Sequence, residues 1–265
     1  MNILPVIVIY KIRLSESDCY RHFLSRIPVR QFMVYDNSPV SFASDEVMPK
    51  SAIYVRDTSN GGVSVAYNTA AKYALQNGFE RILLLDQDTL FPISMYEEMM
   101  RCESDICAPR IVLKNGQPFS PTAWKHGALR GVRLPSGEYA LGRYMLVNSG
   151  LCVSVKLFML AGGYNEKVKL DFADFQFMHR LRRVTDCFTL LDAEAEQDFS
   201  NEQTDVSVLY ARYCKYIEGA RHFETYDMKD KLLVFWSVFL HTLALTKRTG
   251  KMLFVKKLLL GDKLA

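Results

Sequence analysis

The feature that most constrains this chain is a short apolar run that recurs and, more than once, stops on a polar cluster. Residues 3–10 are almost continuously apolar and rich in β-branched side chains, which suits a strand covered on both faces. A helical stretch over 15–25 leads to a second run at 31–35. This run ends at Asp36-Asn37-Ser38, residues that favour turns. Residues 52–55 form a third run. Asn60-Gly61-Gly62 then turns the chain into a helix over 63–76, and a fourth run at 81–85 stops at Asp86-Gln87-Asp88. Strands alternating with helices in this way predict a mostly parallel sheet with right-handed crossovers. Ligands of such sheets bind beyond the carboxyl ends of the strands, where Asp36, Asp86 and Asp88 all fall.

The pattern loosens after residue 100. A strand is predicted over 107–113, loops and short hairpins over 114–139, and a strand over 146–155 interrupted by Asn148-Ser149-Gly150. A short helix over 156–160 stops at Ala161-Gly162-Gly163. Helical periodicity returns over 171–183 and a last strand over 187–191. Beyond residue 204 only helices are expected, over 205–225, 228–246 and 250–260. The chain is therefore divided into an α/β catalytic domain, residues 1–204, and a helical C-terminal extension, residues 205–265. Its 265 residues suit that plan.

Composition removes several classes. With 49% hydrophobic and 23% charged residues the chain is neither disordered nor fibrous. The six cysteines include no CxxC pair and no zinc-finger spacing, so reduced thiols in a cytoplasmic protein are expected. The apolar start lacks the basic flank and small-residue cleavage site of a signal peptide. A net charge of +4 is too small to call for nucleic acid. GxSxG and HExxH are both missing. His22, His126, His179, His222 and His241 are scattered, as structural or surface residues would be.

Several acidic residues stand where chemistry could be done. Asp86 and Asp88, two apart at a strand end, can share a hard cation, which in turn can bridge phosphate oxygens. The plainer alternative is a turn with two solvated acids. Asp36 could accept hydrogen bonds from a base or ribose, or simply cap its own turn. Asn60, Gly61 and Asn68 bring a helix N-terminus to the same edge, a place that favours anions. Neither GxGxxG nor a Walker A sequence is present. Asp171 and Asp174 lie three apart at the start of a predicted helix, on one face. There they could complement the helix dipole, or one could act as a general base.

Taken in order, these motifs resemble the family 2 glycosyltransferases of GT-A fold, in particular bacterial rhamnosyltransferase-like members. The resemblance is carried over roughly 3–200 by Asp36, Asn60-Gly61-Gly62 with Asn68, Asp86-Gln87-Asp88, Asn148-Ser149-Gly150, and Gly162-Gly163-Tyr164-Asn165-Glu166 followed by Asp171-Phe172-Ala173-Asp174. It implies inverting transfer from a UDP- or dTDP-sugar to a glycan or lipid-linked acceptor hydroxyl in surface polysaccharide synthesis. It further implies that Tyr10, Asp36, Asn60, Gly61, Asn68 and Asp86 contact the donor, and that Asp86 and Asp88 hold Mg²⁺ or Mn²⁺ against the diphosphate. Asn148, Ser149 and Gly150 would wall the sugar site, and a carboxylate of the Asp171/Asp174 pair, Asp171 first, would be the base. Two positions depart from the family. Gln197 stands where many relatives carry a metal-contacting histidine, and it would be a weaker ligand. Lys11 replaces a small polar residue. Gln197 also keeps open a catalytically silent glycan- or nucleotide-sugar-binding protein. A sugar nucleotidyltransferase is the other alternative, although Lys11-Ile12-Arg13-Leu14 is a poor phosphate loop.

The extension adds a partner of a different kind. Residues 232–245 are heavily apolar yet too short to span a bilayer, and a lysine-rich tail follows. Residues 247–265 hold six of the 33 basic residues against one acid, leaving 27 basic and 28 acidic residues elsewhere. The excess charge belongs to the tail. An anionic membrane surface met through 232–265, on the inner face of the plasma membrane, is the expected partner. The alternative is a core-packing helix with a frayed basic end.

Overall fold

The computed structural model describes residues 2–40, 42, 46–125, 128–197 and 205–260. Four strands, β1 (Ile3–Ile9), β2 (Phe32–Asp36), β3 (Ala52–Arg56) and β4 (Arg81–Asp86), run parallel in the order β3-β2-β1-β4. Every residue of β1 is buried, because it alternates between two cores. Leu4, Val6 and Val8 face one, and Ile3, Ile7 and Ile9 face the other. Register then fixes the site. Val8 pairs with Asp86 and Ile9 with Asp36, so the carboxyl ends of β1, β2 and β4 finish level.

The sheet continues beyond these four strands, through the strands expected over 107–113, 146–155 and 187–191 and through shorter ones that the sequence did not single out. The further strands are β5 (Thr89–Leu90), β6 (Ile106–Leu113), β7 (Pro118–Ser120), β8 (Thr122–Lys125), β9 (Ala128–Gly131) and β10 (Gly137–Ala140). After them come β11 (Tyr144–Met145), β12 (Cys152–Ser154) and β13 (Cys187–Gln197). β12 inserts antiparallel between β4 and β6, while β13 lies parallel to β6. β10, β5 and β7 add antiparallel pairs, and β11, β8 and β9 form a small separate sheet. The predicted strand over 146–155 is thus confined to β12, since Gly150 takes a left-handed φ of 73° just before it.

Helices cover both faces. α1 (Val63–Gln76) buries Ala66, Tyr67, Ala70, Ala71 and Ala74 on one stripe, and α2 (Ile93–Arg101), absent from the sequence reading, buries Met95, Tyr96 and Met99. The helix expected over 15–25 is instead a 3₁₀ turn at Leu14–Glu16 and a π-helical turn at Tyr20–Leu24. α3 (Val155–Leu160) and α4 (Ala173–Leu181) follow. The C-terminal helices are α5 (Val206–His222), α6 (Met228–Thr249) and α7 (Leu253–Leu260). Their buried Leu209, Tyr213, Ile217, Val238, Leu245 and Phe254 join the same core as α1 and α4. At roughly 1.5–3 kcal/mol for each fully buried large apolar side chain, this docks the helices firmly. The division placed at residues 204/205 touches segment 198–204, which lies outside the described residues, as do His126 and the tail beyond residue 260.

Candidate active site

A cavity of about 390 Å³ opens at the carboxyl ends of β1 and β4. The strand ends contribute Val8, Tyr10, Asn37, Asp86 and Gln87. Asn60 and Gly62 come from the turn before α1, Lys167, Lys169 and Leu170 from the turn before α4, and Lys215, Glu218 and Gly219 from α5. Tyr10 is 37% exposed at this edge, with its backbone N–H donating to Gln87 Oε1 at 2.7 Å. Gln87, the middle residue of the acidic triplet, therefore straps the end of β1.

The turn before α1 is built by Asp57, a residue that the sequence reading missed. Its Oδ1 accepts from the Ser59 N–H at 2.9 Å, and its Oδ2 accepts from the Gly61 N–H at 2.9 Å and the Tyr35 hydroxyl at 3.0 Å. Burial pushes the Asp57 carboxyl up, but these bonds outweigh it and hold the group below its usual range. Its signal was there to read, as an Asp at the head of a Thr-Ser-Asn-Gly-Gly run. Gly62 follows at φ 90°, and a Cβ there would meet the Lys169 carbonyl oxygen at 2.2 Å. The Val63 N–H donates to that same oxygen at 3.1 Å. Only glycine lets the two turns approach this closely.

Asp86 is held by side chains from two other segments. The Tyr67 hydroxyl of α1 donates to its Oδ1 at 3.3 Å, and the Ser149 hydroxyl donates to its Oδ2. Burial raises the Asp86 pKa in spite of these bonds. Beside it the Tyr164 hydroxyl donates to Asn148 Oδ1 at 2.6 Å, and the Tyr67 and Tyr164 rings lie 5.3 Å apart. Asp174 belongs to the same cluster. Burial pushes its carboxyl up to about 7, and the charges of Asp171 and Asp86 push the same way, against a hydrogen bond from the Phe175 N–H. Asp174 is not among the residues that line the cavity; its link to the site is its electrostatic coupling to Asp86.

Asp171 is placed differently from the expectation that both acids share one helix face. Phe172 adopts a left-handed φ of 73°, and α4 starts only at Ala173. Asp171 precedes the helix, its Oδ1 lying 3.6 Å from Arg212 of α5, while its buried Oδ2 has no hydrogen-bond partner among the described residues.

Other expected contacts also shift. Asp36 is 1% exposed, and its two oxygens accept from the Ser38 N–H at 3.0 Å and the Tyr54 hydroxyl at 2.7 Å. It shapes its turn, and its neighbour Asn37 reaches the cavity. Asn68 is spent on the turn before α4: its amide donates to Tyr164 O at 3.0 Å and Glu166 at 2.9 Å, and its carbonyl accepts from the Tyr164 N–H at 2.8 Å. Gly61 serves the Asp57 turn. Asn148 and Ser149 surround Asp86 and Tyr164, and Gly150 packs against Pro109 and Phe91, so this tripeptide supports the site from behind the cavity lining.

The residues expected to hold a cation lie at the edge of this arrangement. Asp88 is exposed one residue before β5, and Gln197 pairs with Thr89 across the β13–β5 ladder, next to it. Gln197 Oε1 and Thr89 Oγ1 are both buried without hydrogen-bond partners. Among the described residues no group of three or more His, Cys, Asp or Glu could hold a metal alone. The oxygen donors present fit a hard divalent cation that takes its remaining ligands from phosphate and water.

No family model matches the chain. It is 23% identical over 128 residues to the dTDP-rhamnosyl transferase RfbF of Shigella flexneri, a match covering 46% of this chain and 43% of that protein. Among solved structures, GalNAc-T7 with UDP, GalNAc and Mn²⁺ superposes with a TM-score of 0.62 at 12% identity, over 87% of this chain and 49% of that one. S. aureus TarS gives 0.54 at 13% identity over 88% and 42% of the two chains. Its fragment 1–349 gives 0.53 at 13% identity over 94% and 82%. The matched region spans less than half of the curated relative. The fold is that of the GT-A glycosyltransferases.

Proposed function

We propose that the protein is an inverting glycosyltransferase that moves a sugar from a UDP- or dTDP-sugar to an acceptor hydroxyl during surface polysaccharide synthesis. The observation that carries this reading is the pairing of Asp86 and Asp174. Asp86 lines the cavity at the strand ends of a GT-A fold, and Asp174, whose carboxyl burial pushes up to about 7, is coupled to it electrostatically. The partial likeness to a rhamnosyl transferase supports the same class.

In this reading Tyr10, Asn37 and Asn60 receive the nucleoside, and the donor sugar extends toward Asp174. Asp174, rather than the Asp171 favoured by sequence, takes the proton from the acceptor hydroxyl. The freed oxygen bonds to the anomeric carbon on the face opposite the diphosphate, and the sugar–phosphate bond breaks with its electron pair leaving on the diphosphate. Asp171 is turned toward Arg212 and positions the turn before α4. Asp88, Gln197 and Asp86 would hold Mg²⁺ or Mn²⁺. When bound, the cation would offset the charge developing on the leaving group. The experiment is release of nucleoside diphosphate from a panel of UDP- and dTDP-sugars, with glycan and lipid-linked acceptors. Turnover with one donor supports transfer. Nucleotide binding without turnover on any acceptor favours the silent module.

A membrane surface is the partner proposed for the extension. Leu232, Phe235, Trp236, Leu240 and Leu243 are exposed at helical spacing on α6, and the Trp236 ring packs edge-on against Phe235 and Phe239. Lys247 and Lys251 are exposed at the same end. No described helix is long and apolar enough to cross a bilayer, so the fit is to an interface, with rings in the headgroups and lysines on anionic lipid.

A further inference from the structure

The cavity has a wall that the strand-end motifs do not account for. Lys167 and Lys169 reach it from the turn before α4, and Lys215 from α5, against only two acids, Asp86 and Glu218. None of the three lysine side chains forms an ion pair or hydrogen bond among the described residues. The two segments are fixed to each other. The Asn165 amide donates to the His222 carbonyl at 2.9 Å, and Arg212 faces Asp171. Gly219, one turn beyond Lys215, lies so close that a Cβ would meet the Asp171 carbonyl oxygen at 2.7 Å. The residues i and i+4 share a helix face, so this contact aims Lys215 at the cavity.

We infer that Lys215 binds the donor diphosphate, which makes α5 of the C-terminal extension a wall of the donor site. This rests on the glycosyltransferase reading above and adds to it a residue far from every strand-end motif. Unpaired ammonium groups in a concave site favour a multiply charged anion, and lysine suits phosphate as a mobile point charge. Lys215 is the informative member of the three. It is exposed on a helix, whereas the Lys169 backbone helps to hold the start of α1.

The full-length protein is titrated calorimetrically with UDP and dTDP in Mn²⁺, and uridine and thymidine are followed by ligand-observed NMR. Lys215→Ala should weaken the preferred diphosphate about tenfold or more, the loss of one charge-assisted hydrogen bond, and leave the nucleoside unchanged. Lys215→Arg should retain most of the affinity. Equal diphosphate affinity in wild type and Lys215→Ala overturns the assignment while leaving the donor reading intact. A wild type that binds neither UDP nor dTDP overturns the donor reading itself, and this inference with it.

Discussion

At the scale of single residues, the site is a matter of two carboxyls placed in unlike surroundings. Asp174 sits in a buried cluster that holds its carboxyl at about 7, while Asp171 faces Arg212. With Asp174 as the proposed base, transfer needs its deprotonated form: kcat/KM should fall about tenfold per pH unit below pH ~7 and level off above it. Asp174→Asn should lose transfer by two or more orders of magnitude, roughly the contribution of general base catalysis. The same substitution should stabilise the fold. The folded-state pKa is raised, so ionising Asp174 costs stability progressively as pH rises from its unfolded value toward about 7, by roughly 1.4 kcal/mol for each pH unit crossed in that interval. Thermal melts at pH 8 should show a higher Tm for Asp174→Asn than for wild type. Normal kcat with an unshifted pH profile would return the base to another group.

At the scale of elements, the sequence carried much of the first half and less of the second. β1 to β4 and α1 were legible because each is a short apolar run or an alanine-rich stripe, all but β1 closed by Asp, Asn or Gly, signals local to the element. β12 was not, because an antiparallel strand only three residues long gets its identity from the neighbours on either side. The expected helix face for Asp171 and Asp174 failed for a related reason. A left-handed Phe172 is unfavourable on its own and persists because its ring is buried in the core against Tyr216 of α5, a long-range contact invisible in the local pattern. The roles of Asp36, Asn68 and Ser149 were likewise set by Tyr54, Tyr164 and Asp86, all distant in the chain. The junction of α5 with the turn before α4 supplies its own test. Gly219→Ala forces a methyl into the Asp171 carbonyl, so Tm should fall by several degrees, the effect of roughly 1–3 kcal/mol of overpacking. The KM for the donor should rise as Lys215 moves. An unchanged Tm would show that α5 does not rest on Asp171.

At the scale of the molecule, the helical extension reads as part of the machinery. Its inner side enters the core and carries Lys215 into the cavity, and its outer side exposes an aromatic stripe with lysines at one end. Deleting 247–265 would remove Phe254 from the core, so charge reversal is the cleaner probe of the membrane. Lys247→Glu with Lys251→Glu should weaken binding to phosphatidylserine vesicles about tenfold or more, at roughly 1 kcal/mol per basic residue near the surface. Binding that is unchanged, or absent in the wild type, would refute this surface. The account as a whole stands on nucleotide-sugar chemistry at the strand ends, and one assay reaches it most directly: release of nucleoside diphosphate from UDP- and dTDP-sugars, with and without Mn²⁺, by wild type and by Asp88→Ala. The account predicts Mn²⁺-stimulated release by the wild type with one of these donors and a loss of at least tenfold in Asp88→Ala. Undiminished release by the variant, or none by the wild type with any donor, would contradict it.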